Sequence, residues 1–153
     1  GNLIEIFYPG NLNGENMSYT YTYDNIEHKF LTEVEDVFGY QSSTEYDYLY
    51  DAITKETDIS GNEMNYTYDD FGRLSTVLGP KEQEANKPYT IKFDYYPREQ
   101  DLSQTISIPS GEEFLPVALT SHYDYEHPNN PIKTYTIMDG LGRVRQTKKD
   151  VGG

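Results

Sequence analysis

The sequence predicts an all-β protein, an antiparallel meander of hairpins that forms a curved sheet. Three observations favour this class. The 153 residues include 16 Tyr and no Trp, and Tyr suits strands because it can bury its ring while its hydroxyl reaches water. Aspartate recurs at a regular spacing, and side-chain character alternates between these aspartates. Together they indicate strands of about seven residues joined by tight turns.

The turns are marked by aspartates that follow one another at intervals of 11 or 12 residues, namely Asp24, Asp36, Asp47, Asp58 and Asp69, and later Asp139 and Asp150. An Asp-x-x-Gly tetrad begins at five of them: Asp36 with Gly39, Asp58 with Gly61, Asp69 with Gly72, Asp139 with Gly142, and Asp150 with Gly153. Asp is favoured at the first position of a type I turn, and Gly at the fourth. Asn11 with Gly14 predicts a related turn, whereas Asp24 and Asp47 lack the glycine.

Between the turns, the side chains alternate as in half-buried strands. Tyr19, Tyr21 and Tyr23 share one predicted face, and Tyr66 and Tyr68 repeat the pattern. This alternation predicts regular repeats over residues 15–78, less regular strands and loops over 79–132, and a final hairpin over 133–153. Within the middle part, loops are predicted at 79–88, 97–104 and 126–131, with strands at 89–95, 105–108 and 114–125. Residues 27–37 form the one segment that would also fit a helix.

Composition excludes several classes of partner. The chain has 26 acidic and 12 basic residues, a net charge of -14, which disfavours nucleic acid and anionic membrane surfaces. It has no Cys, hence neither disulfides nor thiolate chemistry. No apolar run approaches the roughly 18 residues of a membrane span, so no membrane insertion is predicted.

The start at Gly1 and the terminal glycine pair favour an excised piece of a longer protein, with Gly1 a tag remnant.

One segment carries a recognisable repeat. Residues 61–74 are Gly-Asn-Glu-Met-Asn-Tyr-Thr-Tyr-Asp-Asp-Phe-Gly-Arg-Leu. This segment closely resembles the YD repeat of the RHS family, in which a Gly-Asn turn and a Tyr-x-Tyr-Asp strand end are followed by Gly-Arg-Leu/Val. Residues 139–144, Asp-Gly-Leu-Gly-Arg-Val, are similar to an element of RHS-like toxin subunits and related secreted proteins. The resemblance covers residues 15–78 well and the remainder loosely.

The resemblance implies a scaffold. YD repeats form long antiparallel strands that coil into a large hollow shell, often around a toxic C-terminal domain, and such shells can also lie at cell surfaces. It therefore implies an extracytoplasmic structural segment, secreted or on a bacterial surface, without catalysis of its own. Its partners would be neighbouring repeats of the parent chain. This chain has too few repeats to close a shell and lacks the self-cleaving aspartate motif, so delivery and autoproteolysis are not expected of it.

The candidate site residues are those of the repeated motif: Asp58, Gly61, Tyr66, Tyr68, Asp69, Gly72, Arg73, Asp139, Gly142 and Arg143. We predict a structural role for them because they recur with the repeat. The guanidinium of Arg73 follows a turn, where it can stack on a Tyr ring or pair with Asp69. Arg143 is its counterpart, and ligand binding by these arginines is the alternative interpretation.

The sequence is compatible with two further kinds of partner, a second copy of the chain and a glycan. An excised piece would expose sheet edges, which predicts an edge-to-edge homodimer. Alternatively, the chain is a carbohydrate-binding cell-surface module, because exposed Tyr rings can stack on sugars. The tyrosines available for this are Tyr46, Tyr48, Tyr50, Tyr95 and Tyr96. Packing of these rings within the sheet is the favoured interpretation.

No catalytic, cofactor or metal site is predicted. His122, Asp124 and His127 lie close in sequence and are chemically suited to a transition metal. The adjoining Pro and Asn residues favour a plain turn instead. Adjacent acids such as Asp69 and Asp70 point to opposite faces of a strand, so they do not form the facing carboxylate pair that general acid–base chemistry needs. The chain is therefore not predicted to be an enzyme.

Overall fold

The structure, a computed structural model, describes residues 1–10, 12–14, 16–97 and 115–150. Over these residues it consists of one sheet of eleven strands and a short helix. The elements are β1 Glu5–Phe7, β2 Ser18–Tyr23, β3 Leu31–Asp36, β4 Gln41–Asp47, β5 Ala52–Thr57, β6 Glu63–Tyr68, β7 Leu74–Leu78, α1 Pro80–Glu84, β8 Ile91–Tyr96, β9 Val117–His122, β10 Ile132–Met138 and β11 Val144–Asp150.

The strands lie in the sheet in the order in which they occur in the chain. Each of β1 to β11 pairs with the next strand along the chain, and every pair is antiparallel. The predicted all-β antiparallel meander is therefore confirmed. Successive turns alternate between the two ends of the strands. We call the end with the turns after β2, β4, β6 and β10 the upper rim, and the end with the turns after β1, β3 and β5 the lower rim.

The hairpins of the upper rim share a bulge that those of the lower rim lack. The register shifts just before the turn in each upper-rim hairpin, at Thr22/Tyr23, Glu45/Tyr46, Thr67/Tyr68 and Ile137/Met138. The pairings β3–β4 and β5–β6, which close at the lower rim, run without a shift. A bulge bends its strand and increases the local twist. Its recurrence gives these four hairpins the same irregularity of pairing next to the turn, although their turns differ in length.

The two faces of the sheet differ in chemistry. Cross-strand partners lie on the same face, so Tyr21 shares a face with Val34, and Tyr66 with Val77. The same face, which we call the tyrosine face, continues through Ile91. The opposite face carries mainly Thr, Glu and Lys up to β8. Among the described residues, the buried apolar side chains are Phe30, Val77, Val117 and Leu119. A single sheet thus leaves most strand residues half-buried.

The structure corrects some predicted elements. Residues 80–84, predicted as loop, form α1, with Pro80 at its first turn, where proline's missing N–H is not needed. Residues 27–37, the segment that would also fit a helix, form the end of a loop followed by β3 Leu31–Asp36. The return strand of the final hairpin, predicted over 144–148, extends to Asp150. The predicted strand at 105–108 and the partners Asn11 and Gly153 of two predicted turns lie outside the described residues.

No helix within the described parts of the chain has the length and apolar character that a membrane crossing requires.

Candidate functional site

Four hairpin turns have the same hydrogen-bond arrangement around their aspartate. In each, one carboxylate oxygen accepts the N–H groups of the residues two and four positions later, at 2.8–3.0 Å. The glycine three positions later donates to the aspartate carbonyl at 2.9–3.0 Å and has a positive φ. These turns begin at Asp36, Asp58, Asp69 and Asp139. The predicted Asp-x-x-Gly turn is confirmed at each of them.

Aspartates without the glycine also organise turns. Asp47 accepts N–H groups from Leu49 at 2.7 Å and Tyr50 at 3.3 Å, and Asp51 supplies the left-handed residue with φ 52°. Asp24 begins a longer loop in which His28 has φ 57°. Asp and His are among the residues that tolerate a left-handed backbone conformation. A glycine three residues after the aspartate therefore predicts a turn, but a turn can also form without it.

The carboxylates of Asp58, Asp69 and Asp139 are held in their ionised form. The side-chain amide of Asn62 lowers the pKa of Asp58, and the guanidinium of Arg73 lowers the pKa of Asp69. The backbone N–H of Arg143 is the main cause of the lowered pKa of Asp139. Donors to a carboxylate stabilise its charged form. These acids therefore act as fixed acceptors for their own turns.

Arg73 connects its turn to a strand further along the sheet. Its Nε and Nη2 atoms each lie 2.7 Å from Oδ2 of Asp69. The guanidinium carbon is 4.4 Å from the ring centre of Tyr95, on β8, and 5.0 Å from that of Phe71. Both contacts anticipated for this arginine, with the turn aspartate and with a Tyr ring, are therefore present. Arg143 makes the corresponding ion pair at 2.8 Å with Asp139, but its side chain is 74% exposed.

Replacement of Arg73 by alanine is expected to lower the thermal midpoint of unfolding by roughly 3 °C, since it removes a cation–π contact and a part-buried ion pair. The matched variant Arg143→Ala removes an exposed ion pair and should shift the midpoint by less than about 1 °C. Differential scanning calorimetry measures both. Equal shifts would show that the Tyr95 contact contributes nothing.

Three tyrosine hydroxyls bind the strand that precedes their own. Tyr46 donates to the carbonyl of Leu31 at 3.0 Å, and Tyr68 to that of Ile53 at 2.7 Å. Tyr95 donates to the carbonyl of Leu74 at 2.9 Å. In each case a Tyr near the end of one strand reaches the start of the strand before it. At Tyr46 and Tyr68, the Tyr directly before a turn aspartate thus ties neighbouring hairpins of the repeat together.

Tyr66 makes a different contact on the tyrosine face. Its hydroxyl donates to Oε2 of Glu56 at 2.6 Å. This hydrogen bond, with burial, raises the pKa of Tyr66 to about 12. Because Glu56 lies on the neighbouring strand β5, this bond also links two successive hairpins.

The five tyrosines considered for sugar stacking do not form one platform. The Tyr46 ring packs against Phe30 at 4.6 Å between ring centres, and Tyr48 contacts the same ring at 5.5 Å. The Tyr50 ring lies against Gly72, and its hydroxyl donates to the carbonyl of Asp70 at 3.2 Å. Tyr95 and Tyr96 are consecutive on β8, so they point to opposite faces.

The residues considered as metal ligands come together only in part. Nδ1 of His127 lies 3.0 Å from Oδ2 of Asp124, and Asp124 Oδ1 also accepts the N–H of Glu126 at 2.8 Å. His122 is the last residue of β9. Within the described ranges, no group of three metal-ligating side chains occurs. Asp124 thus organises a turn, as the aspartates of the hairpins do.

A polar cluster beside α1 was not predicted from the sequence. Glu82 is buried, and its Oε2 accepts the hydroxyl of Thr90 at 2.5 Å, which lowers the pKa of Glu82. Lys81 lies 4.2 Å from the ring centre of Tyr125. The helix that positions this cluster could have been predicted from Pro80 and the following Lys-Glu-Gln-Glu, because a proline followed by strong helix formers is typical of a helix start.

Comparisons with known proteins identify the fold. No protein-family model matches the sequence, and no curated protein matches it. The crystal structure of TcdB2-TccC3-Cdc42 is similar with a TM-score of 0.63 over 85% of this chain, and that of TcdB2-TccC3-TEV with 0.62 over 86%. Both are 19% identical, and this chain covers 10% of each matched chain. The similarity establishes that this open antiparallel sheet also occurs within much longer chains.

Proposed function

We propose that the chain is a structural segment of an extracytoplasmic RHS/YD-repeat protein, a scaffold or encapsulating shell, with no catalysis of its own. The observation that carries the proposal is that the motif residues bind one another and the backbone of neighbouring hairpins. Arg73 pairs with Asp69 at 2.7 Å, and Tyr68 donates to the preceding strand. A sheet whose units contact only their neighbours can be extended by adding further units.

The comparisons support the same proposal at the level of the fold. This chain covers 10% of the length of the similar chains in the TcdB2-TccC3 structures, which accords with a segment of a larger sheet. The extracytoplasmic location is part of the proposal and rests on the RHS resemblance. Neighbouring repeats would then be the natural partners of the two outer strands, β1 and β11.

The β11 edge is built to accept another strand. All seven residues of β11 are exposed. Met138 donates its N–H to the carbonyl of Pro116, on the β9 side of β10. Successive residues of a strand direct their N–H groups to opposite sides, so the N–H of the preceding residue, Ile137, points to β11. Gln146, its partner, therefore bonds inwards, and Thr147 directs its N–H outwards.

Edge pairing by the isolated chain tests the proposal. In sedimentation velocity, the chain is expected to associate as its concentration rises through the micromolar range. Thr147→Pro should reduce this association because it removes an outward donor while proline is tolerated on an edge strand. The control Thr147→Ala keeps the donor and should associate normally. A folded chain that stays monomeric at all concentrations would contradict a role as part of a larger sheet.

One observation favours a second function, carbohydrate binding. An open groove of about 680 Å³ crosses the tyrosine face and is lined by hydroxyl, amide and carboxylate groups together with Met64 and Pro80. Such groups can hydrogen-bond sugar hydroxyls. A glycan array with the chain and with Glu56→Gln and Tyr48→Ala tests this alternative. Saturable glycan binding that Glu56→Gln abolishes would favour carbohydrate binding in the groove. Saturable binding that Tyr48→Ala abolishes would favour binding on the tyrosine rings. If no glycan binds saturably, the scaffold role remains the proposed function.

A further inference from the structure

The last hairpin carries a positive charge that the rest of the chain does not share. Residues 132–150 contain five of the twelve basic residues, namely Lys133, Arg143, Arg145, Lys148 and Lys149, but only two of the 26 acidic ones. The remainder of the chain is strongly acidic, since the net charge of the whole is -14. All seven residues of β11 are exposed, so this positive charge lies at an open edge of the sheet.

Two lysines of β11 have no acid on the strand beside them. The register places Lys148 opposite Tyr135 and Lys149 opposite Thr134, and β10 contains no acidic residue. Among the described residues, neither lysine forms an ion pair. The other basic residues of the hairpin lie near acids, namely Lys133 opposite Asp150, and Arg143 and Arg145 near Asp139.

A lysine inside the sheet shows what such a side chain contacts when both neighbouring strands are present. Nζ of Lys55, on β5, lies 3.9 Å from Oε1 of Glu45 on β4 and 2.6 Å from Oε1 of Glu63 on β6. Opposite charges on facing strands stabilise their pairing, whereas like charges weaken it. Because β11 has a neighbour on one side only, the acids for Lys148 and Lys149 would come from the strand on its open side.

The backbone of β11 offers hydrogen bonds to such a strand. Thr147 directs its N–H away from β10, and Lys149 does the same because outward groups recur at every second residue. Lys148 and Lys149 are consecutive, so their side chains lie on opposite faces of the sheet. A matching strand therefore needs two consecutive acids, one for each face. Strand β1 of another copy has a single acid, Glu5, and meets only part of this requirement.

The acidic remainder of the chain lies too far from this edge to repel an acidic strand strongly. At 0.15 M salt, charges are screened beyond about 8 Å. Strands β9 and β10 contain no acid, and Asp94 on β8 is three strands away from β11, about 14 Å at the usual strand separation. The charge of the edge itself therefore decides which partner fits, and this charge is positive.

We propose that β11 binds an acidic extended strand of a neighbouring repeat, antiparallel to β11, with consecutive carboxylates facing Lys148 and Lys149. The inference rests on the proposed function, in which the outer strands pair with neighbouring repeats. It adds the chemistry of the strand that fits this edge.

An NMR titration of the isotope-labelled chain with synthetic peptides tests the inference, because it detects weak binding and locates it. The acidic peptide contains Thr-Glu-Glu-Thr-Val-Thr, and the control peptide has Gln in place of both Glu. At 0.15 M salt, the acidic peptide should bind about fivefold more tightly, with shifts at the amides of Thr147 and Lys149. Lys148→Gln with Lys149→Gln should abolish this preference. The matched control, Lys29→Gln with Lys87→Gln, removes the same charge elsewhere and should keep it.

Other results would overturn the inference. Equal affinities for the two peptides, both lost in Thr147→Pro, would remove the preference for acids but leave edge pairing and the scaffold role standing. Binding of the acidic peptide that persists in Thr147→Pro would show attraction of charge without strand pairing. Heparin that binds β11 as tightly as the acidic peptide would identify a general site for polyanions. If neither peptide binds, the inference fails, and self-association in sedimentation velocity still decides the proposed function.

Discussion

Replacement of Asp24 by alanine is expected to lower the thermal midpoint of unfolding by about 10 °C, more than loss of any other turn aspartate. Asp24 is only 4% exposed. Its two carboxylate oxygens accept five backbone N–H groups at 2.6–3.2 Å, those of Ile26, Glu27, His28, Lys29 and Phe30. Without the carboxylate, these donors lose their partner, and an unsatisfied buried donor is costly.

Conservative and control variants sharpen this test. Asp24→Asn keeps the shape but turns one acceptor into a donor, so it should lose roughly half as much stability as Asp24→Ala. Asp70→Asn removes the same charge from an exposed turn position and is expected to shift the midpoint by about 1 °C or less. Equal shifts for Asp24→Asn and Asp70→Asn in calorimetry would contradict an organising role for Asp24.

The same carboxylate predicts a pH dependence. Burial acts to raise the pKa of Asp24, but the backbone N–H groups of Glu27, Phe30, Lys29 and Ile26 outweigh it and hold the pKa well below its usual range. The unfolded chain therefore binds a proton at higher pH than the folded chain, so the stability due to Asp24 is complete above about pH 4 and is lost as pH falls further. Urea titrations between pH 7 and pH 3 should show a shallower acid loss in Asp24→Asn.

The elements that the sequence predicted well are those with a local cause. The turn at Asp69 depends on an aspartate and a glycine three residues apart, both visible in the sequence. The order of strands followed from short turns, since a tight turn can join only antiparallel neighbours. These causes act within a few residues, so the repeat could be located without knowledge of the sheet.

The features that escaped prediction depend on distant parts of the chain. The helix α1 has five residues, too few to be stable by itself. It is held by Gln83, which donates to the carbonyl of Glu63 on β6 at 2.7 Å, and by the bond between Thr90 and Glu82. A Tyr ring was expected beside Arg73, but the identity of that ring, Tyr95, depends on a strand beyond the point where the 11-residue spacing breaks down. No spacing in the sequence indicates such partners.

Gly72→Ala is expected to destabilise the chain far more than the same change at Gly61. Both glycines have a left-handed backbone, with φ of +73° and +80°, which costs any other residue about 1–2 kcal/mol. At Gly61 an added Cβ would meet nothing within 4 Å, whereas at Gly72 it would lie 2.6 Å from Cδ1 of Tyr50. Displacing that ring should add about 1–3 kcal/mol.

Urea titrations of a double-mutant cycle locate this extra cost. In a Tyr50→Ala background the clash is absent, so Gly72→Ala should then cost no more than Gly61→Ala. A difference between the two glycine variants that persists without the Tyr50 ring would place its origin elsewhere. The expected result gives the motif glycine a second role besides closing its own turn. Gly72 leaves room for the ring of Tyr50, which belongs to the preceding hairpin of the upper rim and donates its hydroxyl to the carbonyl of Asp70. The glycine that closes this turn therefore also sets the distance to the hairpin before it.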